Sequence, residues 1–196
     1  MEFVVATNNK HKLAEMQRIL QKMGHTAASL AEIGLAINPE ETGTTFAQNA
    51  LIKAKAVCAA AGRPAIADDS GLVVKALGGA PGVYSARFAG GQGDAANNEK
   101  LLRLMKSVPL AKRAAYFVSA IALVLPGGQA LQVEGRCQGE IGFAEKGEGG
   151  FGYDPLFYVK GRSFAEITAE EKDEISHRAK ALAGLEQQLP GFLQSL

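Results

Sequence analysis

Two long runs, AAYFVSAIALVL and ALQVEGRCQGEIGF, stand on either side of Pro126-Gly127-Gly128, and no other pair of segments restricts the architecture of this chain as strongly. Apolar and β-branched stretches joined by such a turn pair as a hairpin, so a sheet with an antiparallel ladder is expected. The chain opens differently. FVVA is a short strand-like run ending in Thr7-Asn8-Asn9, after which Leu13, Met16, Leu20 and Met23 recur at helical spacing up to Gly24. A strand-turn-helix unit beside a hairpin predicts an α/β protein on a mixed sheet rather than a regular βαβ array. With 196 residues, 47% of them apolar, one domain spanning residues 1–196 has enough material for a substantial core.

The remaining elements follow from their stop and start signals. Thr45-Phe46-Ala47-Gln48 fits a capping box, and the Ala-rich helix behind it runs to Gly62 with Pro64 just beyond. ADDSGL then reads as an acidic turn at the end of a strand, followed by LVVKAL. GGAPGVYSARFAGG is too glycine-rich for a regular element and reads as a functional loop. A helix follows from about Asp94, with Leu101, Leu102 and Met105 on one side. Past the hairpin, a second glycine cluster, EKGEGGFGYDPLFY, leads into a strand-like LFYV. Thr168-Ala169-Glu170-Glu171 is another capping box, and Leu182, Leu185 and Leu189 mark a final helix. Lys172, His177 and Arg178 would splay around one continuous helix, so a break is expected near Ser176.

Composition excludes several function classes. Net charge is +1, which advertises no broad electropositive face for duplex nucleic acid. Cys58 and Cys137 lack metal-type spacing and are expected to be buried free thiols. The N-terminus enters a strand without a basic leader, and no run reaches membrane-spanning length, so a soluble cytoplasmic protein is expected. A G-x-S-x-G elbow and a P-loop are both missing.

What remains is a set of polar clusters. TNNKHK, at a strand end entering a helix, is either a solvated cap or an anion site served by helix N–H groups and lysines. Glu40, Glu41, Asp68 and Asp69 supply hard oxygen ligands of the kind that hold Mg²⁺ together with substrate phosphates, with Lys53 about two turns into the nearby helix. Without a cation, one member of the Asp68/Asp69 pair should have a raised pKa and suit a general base; DDSG is otherwise an ordinary polar turn. In FGYD, Phe151 and Tyr153 offer aromatic faces around Gly152, ahead of Asp154, and His177-Arg178 adds donors for carbonyl oxygens. Together these ingredients suggest phosphate, a divalent metal and a planar base.

Five blocks in order, ATNNKHK, EETGTTFAQNALIKAKA, AIADDSGLVVKALGGAPGVYSARFAG, GGFGYDPLFY and EEKDEISHRAKAL, closely resemble the HAM1/RdgB family of non-canonical purine nucleoside triphosphate pyrophosphatases from end to end. The resemblance implies an elongated α/β fold, with a long twisted mixed sheet flanked by helices and two lobes around a central substrate cleft. It implies Mg²⁺-dependent hydrolysis of ITP, dITP or XTP to the monophosphate and pyrophosphate, in the cytoplasm, by a homodimer that needs neither nucleic acid nor membrane. Carried onto this chain, Thr7, Asn8, Asn9, Lys10, His11 and Lys12 form the triphosphate turn, with Asn8 where relatives commonly have Gly. Glu41 and Asp69 are the metal-binding acids, Asp69 is also the proposed base, Asp68 and Lys53 support it, and Ser70 touches substrate. Phe151, Gly152, Tyr153, Asp154, Lys172, His177 and Arg178 match the positions that hold the nucleobase and nucleoside. Two alternatives stay open at this point: a Maf-like pyrophosphatase acting on modified nucleotides, and a non-catalytic nucleotide-binding module.

Overall fold

The computed structural model describes residues 1–196. Its strands are β1 (Glu2–Val5), β2 (Thr26–Ser29), β3 (Ala65–Val74), β4 (Ala114–Val124), β5 (Ala130–Ile141), β6 (Phe157–Val159) and β7 (Arg162–Ser163). Its helices are α1 (Lys10–Lys22), α2 (Phe46–Ala61), α3 (Asp94–Met105), α4 (Ala169–Ile175) and α5 (His177–Gln194). The seven strands form one sheet in the order β2-β1-β3-β4-β5-β6-β7. Strand β1 pairs in parallel with β2 and β3, whereas β6 is antiparallel to β5 and β7, so the sheet is mixed as the hairpin and the opening unit together require.

The chain divides into two compact units, and it passes from one to the other inside β3, β4 and β5 and again at the start of α5. The first unit holds Met1–Asp69, Ser119–Gly135 and His177–Leu196. Within it β1 past Glu2, the first half of β3 and the second half of β4 are buried on both faces, and their alternation sorts residue size. Phe3, Val5, Ile66, Ile121 and Leu123 pack with Met16 and Leu20 of α1 and Leu182 and Leu185 of α5. Their strand neighbours, Val4, Ala6, Ala65, Ala67, Ala120 and Ala122, pack with Ala50, Ala54 and Val57 of α2. Alanine on both surfaces lets α2 lie close to the sheet, because little side-chain volume separates the two backbones. A similar approach occurs at Gly135, where a Cβ would fall 2.3 Å from the Ala181 amide nitrogen and the His177 carbonyl oxygen of α5. Gly135→Ala should therefore push the start of α5 off the sheet, costing about 1–3 kcal/mol of overpacking, read as a lowered midpoint in chemical denaturation.

The second unit holds Ser70–Val118 and Arg136–Ser176. Phe117, Phe157 and Phe164 form its aromatic centre, with Phe157 at 4.6 Å from Phe117 and 5.0 Å from Phe164 between ring centroids. Arg113 is buried, and carbonyl oxygens satisfy it: those of Met105, Val108, Ile141 and Gly142 accept from its guanidinium. The acceptor at Met105 is the last residue of α3, so this cation fastens the negative end of that helix.

Most boundaries agree with the sequence reading. Helix α2 stops at Gly62 in the left-handed region, at φ +64°. The Thr168/Glu171 capping box is complete, and Ser176, with extended backbone angles, separates α4 from α5. Cys58 and Cys137 are free and buried. Three expectations change. ADDSGL is not a turn at a strand's end but the middle of the continuous strand β3. At Thr45 only half of the capping box forms: its hydroxyl accepts from the Gln48 N–H, while the Gln48 amide oxygen accepts from the N–H of Thr44 rather than that of Thr45. The segment GGAPGVYSARFAGG contains a 3-10 helix over Gly82–Arg87. No helix is long and apolar enough to cross a membrane.

Candidate active site

The placement of Asp68 and Asp69 in mid-strand resolves their proximity, because consecutive strand side chains point to opposite faces. Asp68 shares its face with Ile66 and reaches the side covered by α1 and α5. Its Oδ2 lies 3.0 Å from Lys12 Nζ and 3.1 Å from Arg178 Nη2, and its Oδ1 accepts from the Ser119 hydroxyl at 2.5 Å. Asp69 shares the opposite face with Ala65 and Ala67, under α2. Its Oδ1 meets Lys53 Nζ at 2.9 Å, and its Oδ2 accepts from the Asn49 amide at 3.3 Å. Asn49 and Lys53 stand one helical turn apart, so both project toward the strand from a helix that the alanine faces hold close.

Their surroundings drive the two acids apart chemically as well. Burial alone would raise Asp68, but Arg178, Lys12 and the Ser119 hydroxyl together hold it well below the usual carboxylate range. For Asp69, burial prevails: it raises the pKa, Lys53 and Lys12 oppose the rise, and Glu41 adds to it. Asp68 is thus a fixed anion, and Asp69 is the carboxylate with greater proton affinity. Opposed shifts of neighbouring acids are the usual mark of distinct chemical roles.

Lys53 bridges the acids on the α2 side, with Nζ 2.8 Å from Glu41 Oε1, 2.9 Å from Asp69 Oδ1 and 2.9 Å from the Asp68 carbonyl oxygen. Burial would lower its pKa, but Asp69 and Glu41 raise it, so it is a firm cation. Two carboxylates converging on one ammonium group can also converge on a small cation. Glu41 and Asp69 supply hard oxygen donors, and no larger cluster of acidic, histidine or cysteine side chains stands there. A pair of carboxylates completed by phosphate oxygens and water suits Mg²⁺, which seldom takes an all-protein cage.

The turn before α1 is more self-contained than its sequence suggests. Thr7 Oγ1 accepts from the Asn9 N–H at 3.1 Å, and Asn9 Oδ1 accepts from the N–H groups of His11 and Lys12 at 3.0 and 3.1 Å. Part of the expected anion-binding backbone is therefore already capped, because an asparagine at the N-cap takes those donors. Asn8, Asn9, Lys10 and His11 are exposed, and the Asn8 amide donates to the Ile37 carbonyl oxygen. Lys12 turns inward to Asp68.

Arg178 is drawn into the buried network. It is 1% exposed, and its Nη1 and Nη2 bind Glu15 and Asp68 respectively, which commits two of its three nitrogens to carboxylates. Two buried carboxylates outcompete a neutral acceptor for a guanidinium. His177 is buried at the first position of α5. Three partners escaped the sequence reading. Glu15, Asn49 and Ser119 lie on helical or strand faces that are otherwise apolar, and a buried polar residue at such a position was the available signal.

Ser70 is half-buried and follows Asp69 on β3, in the second unit. The same unit contains the FGYD segment and Lys172. Asp154 Oδ2 accepts from the Phe151 N–H at 2.9 Å and from Lys172 Nζ at 2.6 Å, and that ammonium lies 4.8 Å from the centre of the Phe151 ring. Gly150 makes room for this arrangement, since a Cβ there would lie 2.1 Å from Asp154 Oδ2 and its φ is +72°. Phe151 is half-buried and can offer a ring face. Tyr153 cannot: it is 4% exposed within the aromatic core, and its hydroxyl donates to the Ser85 carbonyl oxygen at 2.8 Å. The aromatic platform expected of two rings is reduced to one, because the aromatic core takes in the Tyr153 ring.

A mixed-sheet α/β protein with an acid pair split across a strand and balanced by lysines is built to handle charged phosphoryl groups. The chain belongs to the Ham1 family, whose sequence model matches residues 3–188. It is 51% identical over 195 residues to the dITP/XTP pyrophosphatase of Mannheimia succiniciproducens, covering 96% of this chain and 98% of that protein. It is 50% identical over 190 residues to the dITP/XTP pyrophosphatase of Geobacillus kaustophilus, covering 95% and 93%. Among solved structures, a HAM1 protein from Coxiella burnetii superposes with a TM-score of 0.85 at 41% identity, covering 97% of this chain and 99% of that one.

Proposed function

We infer that this chain is a nucleoside triphosphate pyrophosphohydrolase that converts dITP, XTP and ITP to the monophosphate and pyrophosphate. The family match and the names of relatives at about half identity support the reaction class and substrates. The observation that carries the chemistry is the division of the acid pair across β3, with Asp68 held by Arg178, Lys12 and Ser119 on one face while Asp69 meets Lys53 and Asn49 on the other. The family match does not favour the Maf-like or purely binding alternatives.

In this reading Asp69 orients a water for attack at the α-phosphorus and accepts its proton. Lys53 keeps that carboxylate aimed, and together with the exposed Lys10 it offsets charge on phosphate oxygens. Glu41 and Asp69 would hold Mg²⁺, which supplies Lewis-acid stabilisation of the phosphate charge when bound. Within the second unit the nucleobase is assigned to Phe151, Gly152, Asp154 and Lys172, with Tyr153 packed in the aromatic core behind them; the family resemblance carries the roles of His177 and Arg178 toward the nucleoside. A 6-keto acceptor separates these bases from adenine, whose amino group cannot accept from a buried donor such as Lys172; guanine shares the 6-keto group and is refused at its 2-amino group, which needs an acceptor or room that the site withholds. The homodimer and the cytoplasmic setting are carried by the family resemblance.

Purified protein with Mg²⁺ should release pyrophosphate from dITP, XTP and ITP at least roughly tenfold faster than from ATP or GTP. Equal rates on all five remove the selectivity, and no release from any removes the activity.

A further inference from the structure

The glycine cluster before Phe151 has little conformational preference of its own. Gly147, Gly150 and Gly152 all have positive φ, at +79°, +72° and +63°, and such a backbone has many alternatives to lose. Something outside the segment must select one. Within it, the Phe151 N–H donates to Asp154 Oδ2 and the Asp154 N–H donates back to the Phe151 carbonyl oxygen at 3.2 Å. Of the two residues between them, Gly152 is held from elsewhere. Asp94 Oδ2 accepts from the Gly152 N–H at 2.7 Å, and Asn98 Nδ2 donates to the Gly152 carbonyl oxygen at 3.0 Å.

Both side chains belong to α3, four residues apart and therefore on one face. One helix thus fixes the amide and the carbonyl of a single glycine. The clamp acts on backbone rather than packing, since a Cβ at Gly152 would meet nothing within 4 Å. Asn98 is buried and its Oδ1 meets no protein donor, so the Gly152 carbonyl alone sets the direction of its amide; the flipped amide would bring two carbonyl oxygens together. The helix itself cannot drift. Asn97 accepts from the Ala89 N–H at 2.7 Å and donates to the Ala86 carbonyl oxygen, and Arg113 binds the carbonyl at the other end, on Met105.

We propose that Asp94 and Asn98 are positioning residues for nucleobase selection, which set the Phe151 ring and the Asp154-Lys172 pair by clamping Gly152. The inference rests on reading Phe151–Asp154 as the nucleobase segment. Loosening the clamp degrades discrimination and substrate affinity, and leaves the Asp69 centre intact.

The test is steady-state kinetics on XTP and GTP for Asp94→Ala, Asp94→Asn, Asn98→Ala and Asn98→Asp, with Phe151→Ala as a control and thermal melts throughout. Asp94→Ala and both Asn98 variants should raise KM for XTP by roughly tenfold, with kcat within about threefold of the parent, and shrink the XTP-to-GTP ratio of kcat/KM roughly tenfold. Asp94→Asn retains an acceptor for the Gly152 N–H and should recover most of the ratio. Asp94 is exposed, so its pair of variants reads the clamp even where an Asn98 variant fails to fold. A fall in kcat with an unchanged ratio assigns α3 a purely structural role and overturns the proposal. If Phe151→Ala shifts the ratio but the Asp94 and Asn98 variants do not, the clamp is wrong and the nucleobase reading stands. If Phe151→Ala leaves the ratio unchanged too, the nucleobase reading fails and the clamp with it.

Discussion

Asp69→Asn should lower kcat for dITP and XTP by roughly 10²–10⁴-fold, the range expected when a general base is removed, with the melting temperature nearly unchanged. Asparagine preserves the shape and an oxygen for Lys53 Nζ, which sits 2.9 Å from the carboxylate in the parent. It removes the negative charge and the proton acceptor. Folding should tolerate the change because burial already disfavours the ionised form of Asp69. The neighbouring Lys53 keeps Glu41 and the Asp68 carbonyl as partners. Pyrophosphate release and thermal unfolding, measured on the same preparation, separate the two effects. Turnover near the parent level would exclude Asp69 as the base, and a collapse of the melting temperature would make its role structural.

The two acids show how far the sequence could be read. AIADDSGLVV is apolar at both ends and β-branched in part, which is the pattern of a strand buried on two faces, but adjacent carboxylates read more naturally as a turn. Taking the segment as a strand would have separated Asp68 from Asp69 by parity alone. What parity could not supply was the partners. Lys12, Glu15 and Arg178 come from α1 and α5, and Arg178 is far from Glu15 along the chain, so no local pattern announces their convergence. The hairpin, the α2 stop at Gly62 and the break at Ser176 were legible because turn and capping chemistry is local. The fate of FGYD was not, since packing of the aromatic core decides which ring turns inward. Gly135 was equally hidden, because its need for space is imposed by a helix that begins more than forty residues later.

Asp68→Ala tests the other half of the pair, and its largest effect is on stability. The carboxylate is fully buried and meets Arg178, Lys12 and Ser119, so its removal leaves a buried guanidinium with Glu15 and an ammonium without its 3.0 Å partner. Breaking a buried pair in this way costs about 3–5 kcal/mol, because the surviving charge keeps its desolvation penalty and loses its compensation. For a domain whose net stability is about 5–15 kcal/mol, that is a large share. Chemical denaturation should show the lowered midpoint. The triple variant Asp68→Ala/Arg178→Met/Glu15→Leu should recover part of the loss, since it removes the stranded guanidinium together with the buried carboxylate that also pairs with it. A loss below about 1 kcal/mol for the single variant would contradict the pairing, since the typical worth of an ordinary hydrogen bond would then account for it. Recovery of stability in the triple variant without recovery of turnover would assign the network a second task. By filling the α1 and α5 side of β3 with compensated charge, it would keep Asp68 an anion of low proton affinity and leave the proposed role of base to Asp69.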